Sequence, residues 1–378
     1  MYYRLNNMRH SKIINYLILL LFFPCFALYG QTDETAPRDM YSLLTMPYNR
    51  RPLQLYRGQL QATPGFRFDI RTHIYDNQGN NIRNKSSDVA FVRYHFPVEI
   101  KYGITDFIEA GIGISHLRAG MRNKSTGYAG PNIMVNNHTL YELRGMTDLG
   151  LYTSLRLPVE YKFFDMNISG GIFLPTAKHR PAQPKHSTTT YYYMVEEDVT
   201  AEYNINYHYV LRNGSGVPEY RLASSGKLTL QKLSLQIDGA FLFPAKSGKN
   251  IRWSHTILKF VDSEEFSYTK EEYGYLNDRR LHFDATMHFQ VNGWLDAHIT
   301  GGYFSSRGGW TEHYGQKYAH PQQTLLTLSP GFSIQVSPTV RFYQSVDIPL
   351  SGKNTDGHFA VSIAASFNLF PFLKQNTQ

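Results

Sequence analysis

The sequence predicts an all-β chain: a transmembrane antiparallel up-and-down β-barrel of about twelve strands, preceded by a cleaved signal peptide. Three observations carry that expectation. Apolar and polar residues alternate in runs that cover most of the chain after residue 58. The connections between the runs alternate between short and long. The segment before Gly30 is basic and then apolar. Beyond that segment no long apolar helix dominates, since charged residues make up 18% of the 378 and mean hydropathy is negative.

Arg9, His10 and Lys12 form a basic leader, Ile13 to Leu28 is almost wholly apolar, and QTDETAPRD follows. The apolar stretch is shorter than the ~20 residues of a spanning helix. It reads as a secretory signal cleaved near Gly30 or Gln31, with an uncleaved anchor as the alternative. Cys25, the only cysteine, lies inside it, and Pro24 before it does not suit a lipoprotein signal. The mature chain then has no disulfide, no thiolate metal ligand and no cysteine nucleophile. Residues 31–57 are expected to form a short periplasmic lead, 58–370 the barrel with long outer loops at 119–144, 176–219 and 246–279, and 371–378 a C-terminal tail.

The runs follow in order. Phe66, Phe68, Ile70 and Ile74 alternate with Arg67, Asp69, Arg71 and His73; Val92, Tyr94, Phe96, Val98 and Ile100 alternate with Arg93, His95, Glu99 and Lys101. Ile108, Ala110, Ile112 and Ile114 come next, with Glu109 between them. Leu149, Leu151, Leu155, Leu157 and Val159 oppose Tyr152, Ser154, Arg156 and Glu160, and Met166, Ile168, Ile172 and Leu174 follow. Later runs centre on Leu228, Ile237, Phe283, Ile299, Phe332, Val346 and Ile363. Each is near the ~10 residues of a membrane barrel strand. Leu281 to Val291 is the cleanest, with Leu281, Phe283, Ala285, Met287, Phe289 and Val291 set against His282, Asp284, Thr286, His288 and Gln290.

Short turns fall near Gly103–Asp106, Phe163–Asp165, Leu230–Leu233, Asn292–Trp294 and Val336–Thr339. Long polar connections fall between them, so all short turns gather at one end of the strands. Outer-membrane barrels have that asymmetry, which predicts a bacterial outer-membrane location with both termini periplasmic. Aromatics cluster near the strand ends, as at Tyr102, Phe107, Phe163, Phe164, Trp294 and Phe342, where rings meet lipid headgroups. A secreted soluble sandwich is the alternative. Charge on nearly every polar face, and almost none on the apolar faces, argues against it.

Four stretches resemble a known family. They are NRRPLQLYRGQLQATPGFRF (Asn49–Phe68), VEIKYGITDFIEAGIGIS (Val98–Ser115), RGMTDLGLYTSLRLP (Arg144–Pro158) and the closing VDIPLSGKNTDGHFAVSIAASFNLF (Val346–Phe370). Together, under a third of the chain, they are similar to the outer-membrane barrels grouped with meta-pathway phenol-degradation channel proteins. The resemblance implies a passive or facilitated route for small, often hydrophobic or aromatic molecules. The loops near 119–144 and 176–219 have no counterpart in that pattern.

On a barrel every second residue faces the lumen. The lumen-lining candidates are Arg67, Asp69, Arg71, Arg93, Glu99, Lys101, Glu109, Arg156, Glu160, Asp238, Asp284, Asp296, His298, Arg341 and Asp347, with Lys162 beside them. They either pair across the lumen or line a wet, selective path. His282 and His288 are about 20 Å apart along one strand at ~3.4 Å per residue, too far to share a metal directly. His288 and His298 could meet across the turn between them. No metal site, cofactor or catalytic residue is assigned. Ser115-His116 and Ser254-His255 are the candidates for a lipid-modifying enzyme, without an evident acid partner or oxyanion hole.

The formal charge of +8 is mild, and Arg4, Arg9 and Lys12 of the leader contribute to it. No basic stripe stands out, which argues against nucleic acid as a partner. The expected partners are outer-membrane lipid, a small-molecule solute and, during biogenesis, the barrel-assembly machinery. TTTYYYMVEEDVTAEYNINYHYV (Thr188–Val210) reads as a solvated hairpin extension, with an inward plug or a ligand-gripping surface as alternatives. The sequence thus predicts an outer-membrane channel or transporter for small solutes, hydrophobic or aromatic ones favoured by the resemblance. An envelope barrel that binds or braces without transport is the alternative, and a lipid-modifying enzyme the more distant one.

Overall fold

The computed structural model describes residues 53–82, 90–130, 133–158, 163–177, 184–195, 198–205, 214–259, 264–313, 315–337 and 339–369. The strands are β1 (Leu60–Tyr75), β2 (Ala90–Gly103), β3 (Ile108–Gly130), β4 (Ile133–Met146), β5 (Leu149–Leu157), β6 (Phe164–Leu174), β7 (Pro184–Val195), β8 (Asp198–Ile205), β9 (Glu219–Leu230) and β10 (Leu233–Pro244). There follow β11 (Gly248–Lys259), β12 (Glu264–Leu276), β13 (Arg279–Gln290), β14 (Leu295–Arg307), β15 (Trp310–His313), β16 (Gln316–Ala319), β17 (Gln323–Ser337), β18 (Val340–Lys353) and β19 (Thr355–Leu369).

Twelve of them close an antiparallel barrel, in the order β1, β2, β3, β5, β6, β9, β10, β13, β14, β17, β18, β19 and back to β1. The seam between the first and last strands runs from Leu60↔Leu369 to Tyr75↔Thr355, so no wall strand is left with an open edge. The wall strands are those the alternating runs predict. Closure pairs each strand on both sides, which is what a backbone requires in hydrocarbon.

The outer face is predominantly apolar. Ile299 and Phe332, each 38% exposed, point away from the barrel axis, as do Ile237, Phe283, Met287, Ile348 and Ile363. Tyr102, Phe107, Phe163, Trp294, Phe342 and Phe367 form an aromatic girdle at the short-turn end. Tyr94, Phe241 and Tyr303 stand further along the same outer face. A lipid-facing position half-way along a strand tolerates charge poorly. Ile237→Lys on β10 is therefore expected to destabilise the barrel by about 2–4 kcal/mol, read from urea titration in liposomes.

The long connections are themselves hairpins. β3 runs past the wall: Ile108–Gly113 pairs with β5, and from His116 onward it pairs with β4. β4, β7 and β8 continue as a sheet beyond the wall, and Thr188–Val195 pairs with Asp198–Ile205 as two arms of a hairpin, residues 206–210 of the expected extension lying outside the described ones. β11, β12, β15 and β16 form a second, four-stranded sheet. Two aspartates sit where these hairpins rejoin the barrel. Asp148, just before β5, accepts from Ser215 N and Ser215 Oγ at 2.6 Å and from Ala177 N at 3.2 Å. Asp278, just before β13, accepts from Gly309 N at 2.9 Å and meets His320 Nδ1 at 3.3 Å. Each buried carboxylate satisfies loop donors that would otherwise be stranded at the bend.

Candidate functional site

The strand period that turns Phe66, Phe68 and Ile70 outward turns Arg67, Asp69 and Arg71 inward. Register then chooses their partners. Asp69 lies opposite Arg93 of β2 and Ala360 of β19, while Arg67 lies opposite His95 and Ser362. The small residues on β19 leave room for two guanidinium groups. Asp69, 0% exposed, accepts from Arg67 Nε at 2.8 Å and from Arg93 Nε at 2.9 Å. Arg67 also reaches Asp347 of β18 and, at 3.3 Å, Ser362 Oγ. Arg71 pairs with Asp356 at 3.1 Å. These groups form an ionic belt on one side of the lumen.

A second cluster lies nearer the short turns. Arg341, 1% exposed, donates to Asp296 at 2.8 Å, Ser333 at 2.9 Å and Gln335 at 2.8 Å. On the opposite wall, Tyr152 donates its hydroxyl to Glu99 at 2.6 Å, and Lys101 lies 3.3 Å from the same carboxylate.

The end of the predicted lead enters this mouth. Leu53 N donates to Asp165 at 2.7 Å and Leu55 N to Glu109 at 2.9 Å. Arg156 donates to the Gln54 carbonyl at 3.3 Å, pairs with Asp165 at 3.3 Å and covers the Tyr56 ring at 4.8 Å. Gln54 and Leu55 are buried there. Glu109, Arg156 and Asp165 all face the lumen, so residues 53–56 form a strap inside the barrel.

Asp238 and Asp284 face each other across β10 and β13, a like-charged pair in register. Gln236 Nε2 contacts both oxygens of Asp238, at 3.1 and 2.8 Å. His288 and His298 are also in register, with ring centroids 5.6 Å apart. Around them lies a cavity of about 300 Å³ lined by Gln236, Thr286, His288, His298, Thr300, Tyr343, Gln344, Ser345, Ser362 and Ala364. Thr286 and Thr300 share a hydroxyl–hydroxyl bond of 2.9 Å.

Some residues stand apart from these clusters. Glu160 and Lys162 lie outside the described residues. Adjacent strand residues take opposite faces, so Ser115 and His116 do not share one; the His116 ring lies outside, against Phe96. Ser254 and His255 pair with Thr269 and Tyr268 on β12, and their side chains are outside the described residues. Sequence reasoning missed Asp165, read as a turn residue, and the buried pair Glu219–Arg280, read as loop margins. It also missed Asp356, Arg71's partner. All of them flank the predicted runs, where one further step of the alternation turns them inward.

No family model matches the sequence, and no curated protein matches it. Among solved structures, the barrel is similar to an outer membrane channel from Pseudomonas putida F1, with a TM-score of 0.54 and 13% identity over 83% of this chain and 97% of that one. A looser likeness is to the Ralstonia pickettii toluene transporter TbuX, with a TM-score of 0.42 and 9% identity over 88% and 92% of the two chains. Another is to the translocator domain of the autotransporter NalP from Neisseria meningitidis, with a TM-score of 0.40 and 8% identity over 82% and 88%.

Proposed function

We propose that the chain is an outer-membrane channel or transporter for small solutes. A single observation carries the reading: a closed wall, apolar outside, encloses a polar interior that contains a solute-sized cavity. An apolar exterior needs lipid, and a polar interior of this width has no use as a dry core. Export by the segment 1–30, insertion by the assembly machinery and a periplasmic short-turn end belong to the same reading. Hydrophobic or aromatic cargo is the class that the sequence resemblance implies. No catalytic role is proposed, since Ser115 and His116 face opposite sides of the wall.

The rival is a barrel that binds or braces in the envelope without transport, and the strap lodged in the mouth is the observation that favours it. Conductance separates the two. The purified mature chain in planar bilayers is expected to give discrete current steps. A barrel that is folded, inserted and electrically silent would count for the rival.

The wall charges are largely paired, so they should discriminate weakly between ions. The open state is expected to have a cation-to-anion permeability ratio near unity. Asp347→Asn removes one of Arg67's two carboxylates and should shift reversal potentials toward anion preference. An unchanged ratio would place the Arg67 belt off the ion path.

A further inference from the structure

We propose that the cavity between β10, β13, β14, β18 and β19 is a binding step for a neutral, polyhydroxylated solute of about monosaccharide size. The proposal rests on the channel reading, because a solute reaches this cavity only along the lumen. Its volume of about 300 Å³ is at the lower end of ligand pockets, enough for one small solute with a few waters.

The lining chemistry sets the class. None of the lining residues is Asp, Glu, Lys or Arg. The neighbouring charges hold one another: Arg341 with Asp296 below, Arg67 with Asp347 above. Asp238 and Asp284 lie beside the volume, and Gln236 binds Asp238, but the side chains that line it carry no formal charge, so an ion would be held at the flanking charges. The volume is lined instead by hydroxyls, an amide and imidazoles. Gln236 turns its nitrogen to Asp238, which leaves its Oε1 as an acceptor. Thr286 and Thr300 share one proton between two hydroxyls, so the second proton and further lone pairs remain for a guest. Ser345 and Ser362, in register on β18 and β19, add two hydroxyls from the facing wall. Gly331 opposite His298 makes room for that imidazole at the edge of the cavity, since a Cβ there would strike its Nε2.

A solute with hydroxyls around a small ring matches donors and acceptors set on two sides. An apolar solute, the class that the sequence resemblance implies, would strip water from these groups and return no hydrogen bond, so this cavity favours a different cargo. A metal is a poor fit, as no group of three His, Cys, Asp or Glu among the described residues could hold one.

The test uses the mature chain in planar bilayers and, in detergent, by titration calorimetry. D-Glucose is the probe, compared with gluconate, glucosamine and toluene. Glucose should reduce current saturably and bind measurably. Thr300→Val and Ser345→Ala, near-isosteric changes that leave the wall paired, should each weaken it about tenfold. Gluconate, glucosamine and toluene should bind at least about tenfold more weakly than glucose. Variants that bind glucose like the parent, or charged or apolar probes that bind equally well, would overturn the proposal. If the barrel conducts but glucose neither blocks nor binds, the site is refuted and the channel reading stands. Glucose binding to a silent barrel, lost in both variants, would support the site and refute the channel reading.

Discussion

Barrels carrying Arg341→Met are expected to unfold about 3–5 kcal/mol more easily than the parent, the cost of breaking a buried ion pair from one side. Arg341 is 1% exposed and Asp296 2%, so neither keeps water as an alternative partner. Removing the guanidinium leaves a carboxylate bare among Ser333 and Gln335, both of which lose a donor as well. The double change Arg341→Met with Asp296→Leu removes both charges together and should recover most of that loss. Asp69→Asn makes the instructive comparison. It also strands cations, yet Arg67 and Arg93 remain about a third exposed to the lumen. Arg67 keeps Asp347 as well, and the expected cost is only about 1–3 kcal/mol. Urea titration in liposomes, followed by tryptophan fluorescence, orders the variants. Equal losses for Arg341→Met and Asp69→Asn would mean that burial does not control the strength of these pairs.

The wall was legible because lipid and lumen impose opposite demands on adjacent residues. Phe283 faces out and Asp284 in, Ile299 out and His298 in, and a period of two records this in the sequence. Beyond the wall no lipid is set against lumen, so that demand and its record stop. Ile133–Met146 is a strand in the structure, yet its polar, weakly alternating sequence reads as a loop, whereas the partly alternating tyrosines of Thr188–Val210 already read as a hairpin extension. Which charges lie on the polar faces could be read in the same way, but their partners could not. Arg67 meets Asp347 because barrel closure brings the first strand beside the last two, a relation with no local signature. His288 and His298 were the exception, since a short turn between β13 and β14 fixes their register. The strap was hidden for another reason. LQLY is too short to show any period, and its anchors Glu109 and Asp165 look like ordinary wall charges until the chain folds back onto them.

Freeing that strap is expected to raise the open probability of the channel by about two orders of magnitude. Leu53 N and Leu55 N donate to the carboxylates of Asp165 and Glu109, and such charge-assisted bonds contribute about 1.5–3 kcal/mol each. Losing both in Asp165→Ala with Glu109→Ala weakens the hold by about 3 kcal/mol or more, and each 1.4 kcal/mol is a factor of ten in the equilibrium. That double change also alters the charge of the mouth, so a rise in current alone would be ambiguous. Gly103→Ala resolves the ambiguity. Gly103 sits where β2 ends and is bonded to Gln59 and Gly58. A Cβ on it would collide with the Tyr56 carbonyl, a backbone atom that must move as a whole. This variant should therefore dislodge the strap while every charge stays in place. Longer or more frequent openings in both variants, with unchanged ion preference in Gly103→Ala, would identify residues 53–56 as the element that closes the short-turn mouth. Parental gating in a folded Gly103→Ala barrel would mean that the narrowest point lies elsewhere along the lumen.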